Sequence, residues 1–147
     1  MTRLRQGLAL LLLALLPNVS IGHPPNDLRL LLSSIDRPLT QAELQRCHAT
    51  VDELLEIAGS SGQSLYRRGR AIAALGQLAD PSSLSGLIDL WDRDLQPGLQ
   101  VEIVYAINAF EFKLDLWHLT SLLESRLPSA SPPAFMAITR ILGLSVP

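Results

Sequence analysis

Residues 65–94 constrain the fold of this chain more than any other stretch, because they hold two helical patterns separated by one break. On both sides of the break, apolar residues recur at three- and four-residue spacing, which is typical of one face of an α-helix. The break itself is Asp80-Pro81. Aspartate accepts a free backbone N–H at the start of a helix, and proline is tolerated at the first helical position. The stretch therefore predicts two consecutive amphipathic helices.

The same residues resemble a HEAT-like helical hairpin of the kind found in phycobilisome-lyase-type repeats. In that pattern an arginine begins the first helix, Ala-Leu-Gly lies in its middle and Asp-Pro opens the second. Here these positions are occupied by Arg67-Arg68, Ala74-Leu75-Gly76 and Asp80-Pro81. The resemblance implies a fragment of an α-solenoid, and such repeats mostly bind other proteins.

Helical spacing continues along the rest of the chain. It predicts helices over residues 27–35, 40–58, 63–78, 81–92, 99–110, 114–127 and 135–144. Thr40 and Glu43 have capping-box spacing, and the small residues Ala74 and Gly76 would allow a neighbouring helix to approach closely. Residues 71–75 align with residues 106–110 at a spacing of about 35 residues, as in helical-pair repeats, although Glu111 replaces Gly76 in the second copy. We expect an all-α fold, a short α-solenoid of HEAT-like hairpins over residues 40–147, with an irregular helical bundle as the alternative.

The first 22 residues have the layout of a secretory signal peptide. Two arginines precede an uncharged apolar run over residues 8–16, and small residues at positions 20 and 22 precede a possible cleavage point. The apolar run is about half the ~20 residues that a membrane-spanning helix needs. We expect cleavage between Gly22 and His23 and a periplasmic or secreted protein, with an uncleaved anchor as the alternative. Residues 23–39 would form an extended leader and a short helix.

Charge and cysteine content narrow the classes of function. The chain has 12 basic and 14 acidic residues, a formal net charge of −2. This balance argues against nucleic acid as the main partner. Cys47 is the only cysteine, so no set of disulfides within the chain can stabilise an exported domain. We expect Cys47 to be a small buried residue, and pairing with another chain is the alternative.

The sequence predicts no catalytic, cofactor or metal site. His48 and Asp52 lie four apart on a predicted helix, but zinc sites take three or four ligands, so we expect a solvated helix face. After cleavage, the amine and imidazole of His23 could chelate copper, as in histidine-brace enzymes, but the sequence places no second histidine beside them. We therefore expect no enzyme activity.

Two groups of residues are candidates for binding a partner. Arg67, Arg68 and Arg70 form the one basic cluster. They would either dock an acidic partner or, as the resemblance favours, pair with acids of neighbouring turns such as Asp80, Asp92 or Asp94.

The second group lies on the second helix of each predicted pair. The inward stripe of the helix over 114–127 is predicted at residues 116, 119 and 123, which leaves Trp117 with the polar residues of that helix. An exposed aromatic side chain is typical of a protein interface, although a neighbouring helix could equally cover it. The acidic face predicted to meet a basic or amphipathic protein consists of Asp89, Asp92, Trp117, Ser121 and Glu124.

These expectations favour an exported, non-catalytic HEAT-like module that binds or scaffolds another protein. A neutralising, immunity-type partner of a secreted toxin is an alternative that the sequence does not separate from it. A lyase-type enzyme subunit, which some relatives of this repeat represent, is a weaker one.

Overall fold

The computed structural model describes residues 27–37, 39–93 and 96–144, and within these ranges the chain is helical and has no strand. This confirms the all-α prediction. The predicted signal peptide and Asp94 lie outside the described residues. The α-helices are α1 (Leu28–Ser33), α2 (Gln41–Arg46), α3 (Val51–Gly59), α4 (Leu65–Leu78), α5 (Ser83–Trp91), α6 (Pro97–Asn108), α7 (Leu116–Arg126) and α8 (Pro132–Leu142). Short 3₁₀ turns, Ala109–Phe112 and Leu127–Ser129, flank α7. None of these helices is long and apolar enough to cross a membrane.

Polar side chains begin several of the helices in the way that the sequence predicts. The Thr40 hydroxyl accepts the backbone N–H of Glu43 at 3.2 Å, which confirms the capping interaction at α2. At the break in the 65–94 stretch, Asp80 Oδ1 accepts the backbone N–H and the hydroxyl of Ser82 at 2.9 and 2.8 Å. Asp80 and Pro81 thus form the turn into α5, and the predicted helix start at Pro81 is two residues too early, because the first helical residue is Ser83 and its N-cap is Ser82.

The prediction of one continuous helix over residues 40–58 is wrong. The chain leaves α2 at Cys47, and His48 has a left-handed backbone with φ of 52°. A new helix, α3, begins directly after Thr50. The Thr50 hydroxyl accepts the backbone N–H of Glu53 at 3.3 Å. Thr50 and Glu53 are a second pair with the spacing of a capping box, and their cap interrupts the helix. His48 therefore does not share a helical face with Asp52.

Helix α4 lies at the centre of the fold. It packs against α3 and α6, and also against α1 and α2. Its residues Ala71, Ile72 and Leu75 are fully buried. A Cβ atom on Gly76 would lie 2.8 Å from the Cα of Ala106 in α6, so the predicted close approach at Gly76 is present.

The remaining helices continue this packing toward the C-terminus. Helix α6 packs against α8, and α5 contacts α3 and α6. The two helices of the clearest sequence pattern, α4 and α5, thus share α3 and α6 as neighbours. Trp91 is buried, and its Nε1 donates to Ser129 Oγ at 3.0 Å. This bond joins the end of α5 to the turn that precedes α8.

Candidate protein-binding surface

Arg67 and Arg68 bind acceptors within the chain. Arg67 donates to Ser33 Oγ from Nε and Nη2, at 3.1 and 2.7 Å, and to Gln63 Oε1 from Nη1 at 2.7 Å. Arg68 Nε donates to the main-chain oxygen of Ala58 at 2.8 Å. Both side chains are half-buried. These bonds attach the first turn of α4 to the last turns of α1 and α3.

Arg70 makes contacts of the same kind one turn later. Its Nη2 donates to the main-chain oxygens of Leu31 and Arg37, at 3.2 and 2.8 Å. The last carbonyls of a helix have no partner within that helix and must find one elsewhere. Arg68 and Arg70 provide such partners through Ala58 and Leu31, and Arg67 bonds to the side chains of Ser33 and Gln63, so the contacts of all three within the fold are structural.

Two of the acids predicted to pair with these arginines, Asp80 and Asp92, have other partners, which corrects that part of the prediction. Asp80 accepts the backbone N–H and the hydroxyl of Ser82 in the turn before α5, and Asp92 Oδ1 lies 2.5 Å from Nη1 of Arg126. The sequence shows which residues are charged but not which neutral oxygens lie near them in space, and the arginines bond to neutral oxygens: main-chain oxygens for Arg68 and Arg70, and side-chain oxygens for Arg67.

Trp117 lies on the surface. Its side chain is 72% exposed, and its ring meets that of His118 edge to face, with centroids 5.1 Å apart. Ser121 and Glu124 follow on the same face of α7 and are also exposed. No helix in the described part of the chain covers this aromatic side chain, so the alternative of a covered Trp117 is not observed.

Leu116 corrects the predicted inward stripe of α7. Leu119 and Leu123 are buried as predicted, but Leu116 is 75% exposed. It is the first residue of α7, just after the N-cap Asp115, and residues 115–118 are all exposed. The first turn of α7 therefore extends past the core that the later turns contact.

Phe112 was not among the predicted site residues. It ends the 3₁₀ turn before α7 and is 90% exposed. We call Phe112, Leu116 and Trp117 the apolar patch. In the sequence, the acidic residues Glu111 and Asp115 directly precede Phe112 and Leu116. A large apolar residue between two predicted helices is the signal that could have pointed to Phe112.

The predicted acidic face is divided along α7. Trp117 lies at the start of α7, whereas the ion pair between Asp92 and Arg126 lies at its end. At 1.5 Å per residue, the backbones of residues 117 and 126 are about 13 Å apart. Asp89 is exposed on α5. Arg126 neutralises Asp92 through this ion pair. The unpaired acidic side chains nearest the apolar patch are therefore those of the 3₁₀ turn and α7.

The titratable groups near the patch serve local structure. Asp115 accepts the backbone N–H of His118 at 2.9 Å and also contacts its imidazole Nδ1. The backbone and then the side-chain hydrogen bond from His118 lower the pKa of Asp115.

Elsewhere, burial raises the pKa of the Cys47 thiol, which is buried as predicted. No group of three or more potential metal ligands occurs among the described residues.

Comparison of the chain with protein-family models, with curated proteins and with solved structures found no match.

Proposed function

We propose that this chain is a non-catalytic module that binds another protein through the apolar patch. The observation that carries the proposal is the exposure of Phe112, Leu116 and Trp117, three large apolar side chains within residues 112–117. Soluble proteins rarely leave large apolar side chains grouped on the surface unless the surface is covered by a partner. Tryptophan in particular is enriched among residues that dominate binding energy.

The charges near the patch favour a basic or amphipathic partner. Glu111, Asp115 and Glu124 are exposed near the patch, and Lys113 is the one basic side chain among residues 109–125. An acidic rim steers a positively charged partner toward the apolar centre and selects against acidic proteins. Both a scaffold and an immunity-type protein that neutralises a toxin could use such a surface.

The succession of alternate helices supports a short HEAT-like solenoid as the architecture of this module, although the predicted pair α4 and α5 make little contact with each other and pack against α3 and α6 instead. Helices α4, α6 and α8 pack in succession, and α3 packs against α5. Alternate helices in contact are expected when helical pairs are stacked.

We further propose that the protein is exported and begins at His23. Sequencing the N-terminus of the exported protein tests this, and recovery of the full-length chain in the membrane fraction would contradict it.

Alanine substitutions test the binding proposal. Once a partner has been identified, by affinity capture from the periplasmic fraction, Trp117→Ala should weaken its binding by about 2 kcal/mol or more. Leu116→Ala should also weaken binding. The matched control is Leu30→Ala on α1, where the leucine is 54% exposed but lies outside the patch. This variant should bind as wild type does.

Stability measurements on the same variants distinguish an interface from a core. Because Trp117 and Leu116 are exposed, their substitution should leave the melting temperature nearly unchanged. If Trp117→Ala loses several kcal/mol of folding stability and binding is otherwise unaffected, Trp117 belongs to the core and the proposal is wrong.

A further inference from the structure

A groove of about 530 Å³ lies between α4 and the N-terminal half of α6. This volume is within the range of ligand pockets in proteins. Its walls are mainly apolar, with Leu39, Leu65, Tyr66, Ala73 and Leu99 among the lining residues. The groove is separate from the apolar patch, because it contacts the first residues of α6 whereas the patch follows the end of that helix.

Hydrogen bonds hold one wall of the groove in place. The phenol of Tyr66 donates to the main-chain oxygen of Ser34 at 3.1 Å. Arg70, which also lines the groove, donates to the main-chain oxygens of Leu31 and Arg37. A groove whose walls are fixed before a ligand arrives loses less conformational entropy on binding.

The carboxylate of Glu102 lies in this groove without a partner. Its side chain contacts α4 where Gly69 leaves room, since a Cβ atom on Gly69 would be 3.5 Å from the Cγ of Glu102. Glu102 is half-buried, and it has no hydrogen bond or ion pair with any described residue. Burial raises the pKa of Glu102, and Arg70, which also lines the groove, forms no ion pair with Glu102 but donates to the main-chain oxygens of Leu31 and Arg37. A partly desolvated carboxylate is unfavourable until a cation or donor pairs with it.

We propose that the groove binds a segment of a partner protein in which a lysine or arginine is flanked by leucine-like residues. The cation pairs with Glu102 and the apolar side chains contact the leucines of the walls. A peptide fits better than a small amine, because the exposed amides of Gln77 and Gln96 line the groove from α4 and from the residue before α6. Such amides can hydrogen-bond to a peptide main chain. The groove and the apolar patch therefore constitute two separate binding surfaces.

Titration of the isotope-labelled protein, followed by NMR, tests the proposal. The probe is acetyl-Leu-Lys-Leu-Leu-amide, and the comparison peptide has glutamine in place of lysine. We expect the lysine peptide to shift the amide signals of Gly69 and Gly98, which line the groove. It should bind about fivefold more tightly than the glutamine peptide, the effect of one partly exposed ion pair.

Three variants identify the groups responsible. In Glu102→Gln the preference for the lysine peptide should disappear, whereas the matched control Glu56→Gln, at an exposed glutamate on α3 that lies outside both the groove and the apolar patch, should keep it. Ala73→Leu should block both peptides by filling the groove while retaining Glu102. Equal preference in wild type and Glu102→Gln, or no shift at Gly69 and Gly98, would overturn the proposal. Binding of n-hexylamine as tightly as the lysine peptide would also overturn it, because the site would then recognise a small amine.

Discussion

The close contact between α4 and α6 leads to a quantitative prediction for Gly76→Ala. The added Cβ would lie 2.8 Å from the Cα and 3.2 Å from the Cβ of Ala106. Both atoms belong to the backbone or are attached directly to it, so no side chain can rotate away. Ordinary carbon–carbon contact begins at about 3.5 Å, so α4 and α6 would have to separate locally by up to about 1 Å.

The expected loss of stability is the difference between two opposing effects. Replacing glycine by alanine in a helix interior stabilises it by about 1 kcal/mol. Overpacking a core costs about 1–3 kcal/mol and occasionally more, and here the upper part of that range applies because two helix backbones must move. We therefore expect Gly76→Ala to lower the free energy of unfolding by about 2 kcal/mol.

Gly69→Ala is the matched control on the same helix. Its added Cβ would lie 3.5 Å from the Cγ of Glu102 and 3.8 Å from the Cδ2 of Leu99, which are ordinary van der Waals distances. The helix preference then dominates, and we expect a gain of about 0.5–1 kcal/mol. Urea unfolding followed by far-UV circular dichroism measures both variants. If Gly76→Ala is as stable as wild type, the two helices are not in the close contact described above.

Three further substitutions test individual contacts. His48→Gly should stabilise the protein by about 0.5 kcal/mol in urea unfolding, because glycine adopts a positive φ without steric cost, and a loss of stability would contradict this. The hydrogen bonds from Ser82 lower the pKa of Asp80 in the folded protein. The stability that these bonds provide is therefore present above the ordinary aspartate pKa, near 4, and is lost as the pH falls through the lower pKa of the folded state. Asp80→Asn should remove this part of the acid dependence of the urea midpoint. Trp91→Phe removes the hydrogen bond to Ser129 and should lower the free energy of unfolding by about 1–2 kcal/mol, measured by thermal unfolding. In a double mutant with Ser129→Ala, the two losses of stability should not be additive.

Much of the helical framework could be predicted from the sequence because the interactions concerned are local. The cap at Thr40 and the turn at Asp80 depend on residues within three positions of each other, and the structure has both. The same local signal was present at Thr50 and Glu53. That signal competes with a periodic one, because Leu44, Cys47, Val51 and Leu54 keep helical spacing across the break, and they are wholly or partly buried in the structure as they would be in a single helix.

Features that depend on where elements lie in space were not predictable in this way. The periodicity of α7 places Leu116 on the same stripe as Leu119, but it does not show that the core ends before the first turn of the helix. The groove is a clearer example, since its walls come from α4, α6 and the residue Leu39. No spacing within one segment relates Glu102 to Gly69. Its partly buried charge becomes evident only when the two helices are placed side by side.

The arginine contacts of α4 have a consequence for how the chain can be divided. Arg67 and Arg70 bind acceptors in residues 31–37, and α1 has six residues, too few to form a stable helix alone. A protein shortened to start at residue 40 would keep every helix from α2 onward but would leave two half-buried guanidinium groups without these acceptors. In hydrogen exchange, the amides of α1 should therefore open together with the first turns of α4, as one cooperative unit. We therefore expect the smallest independently stable fragment to include α1.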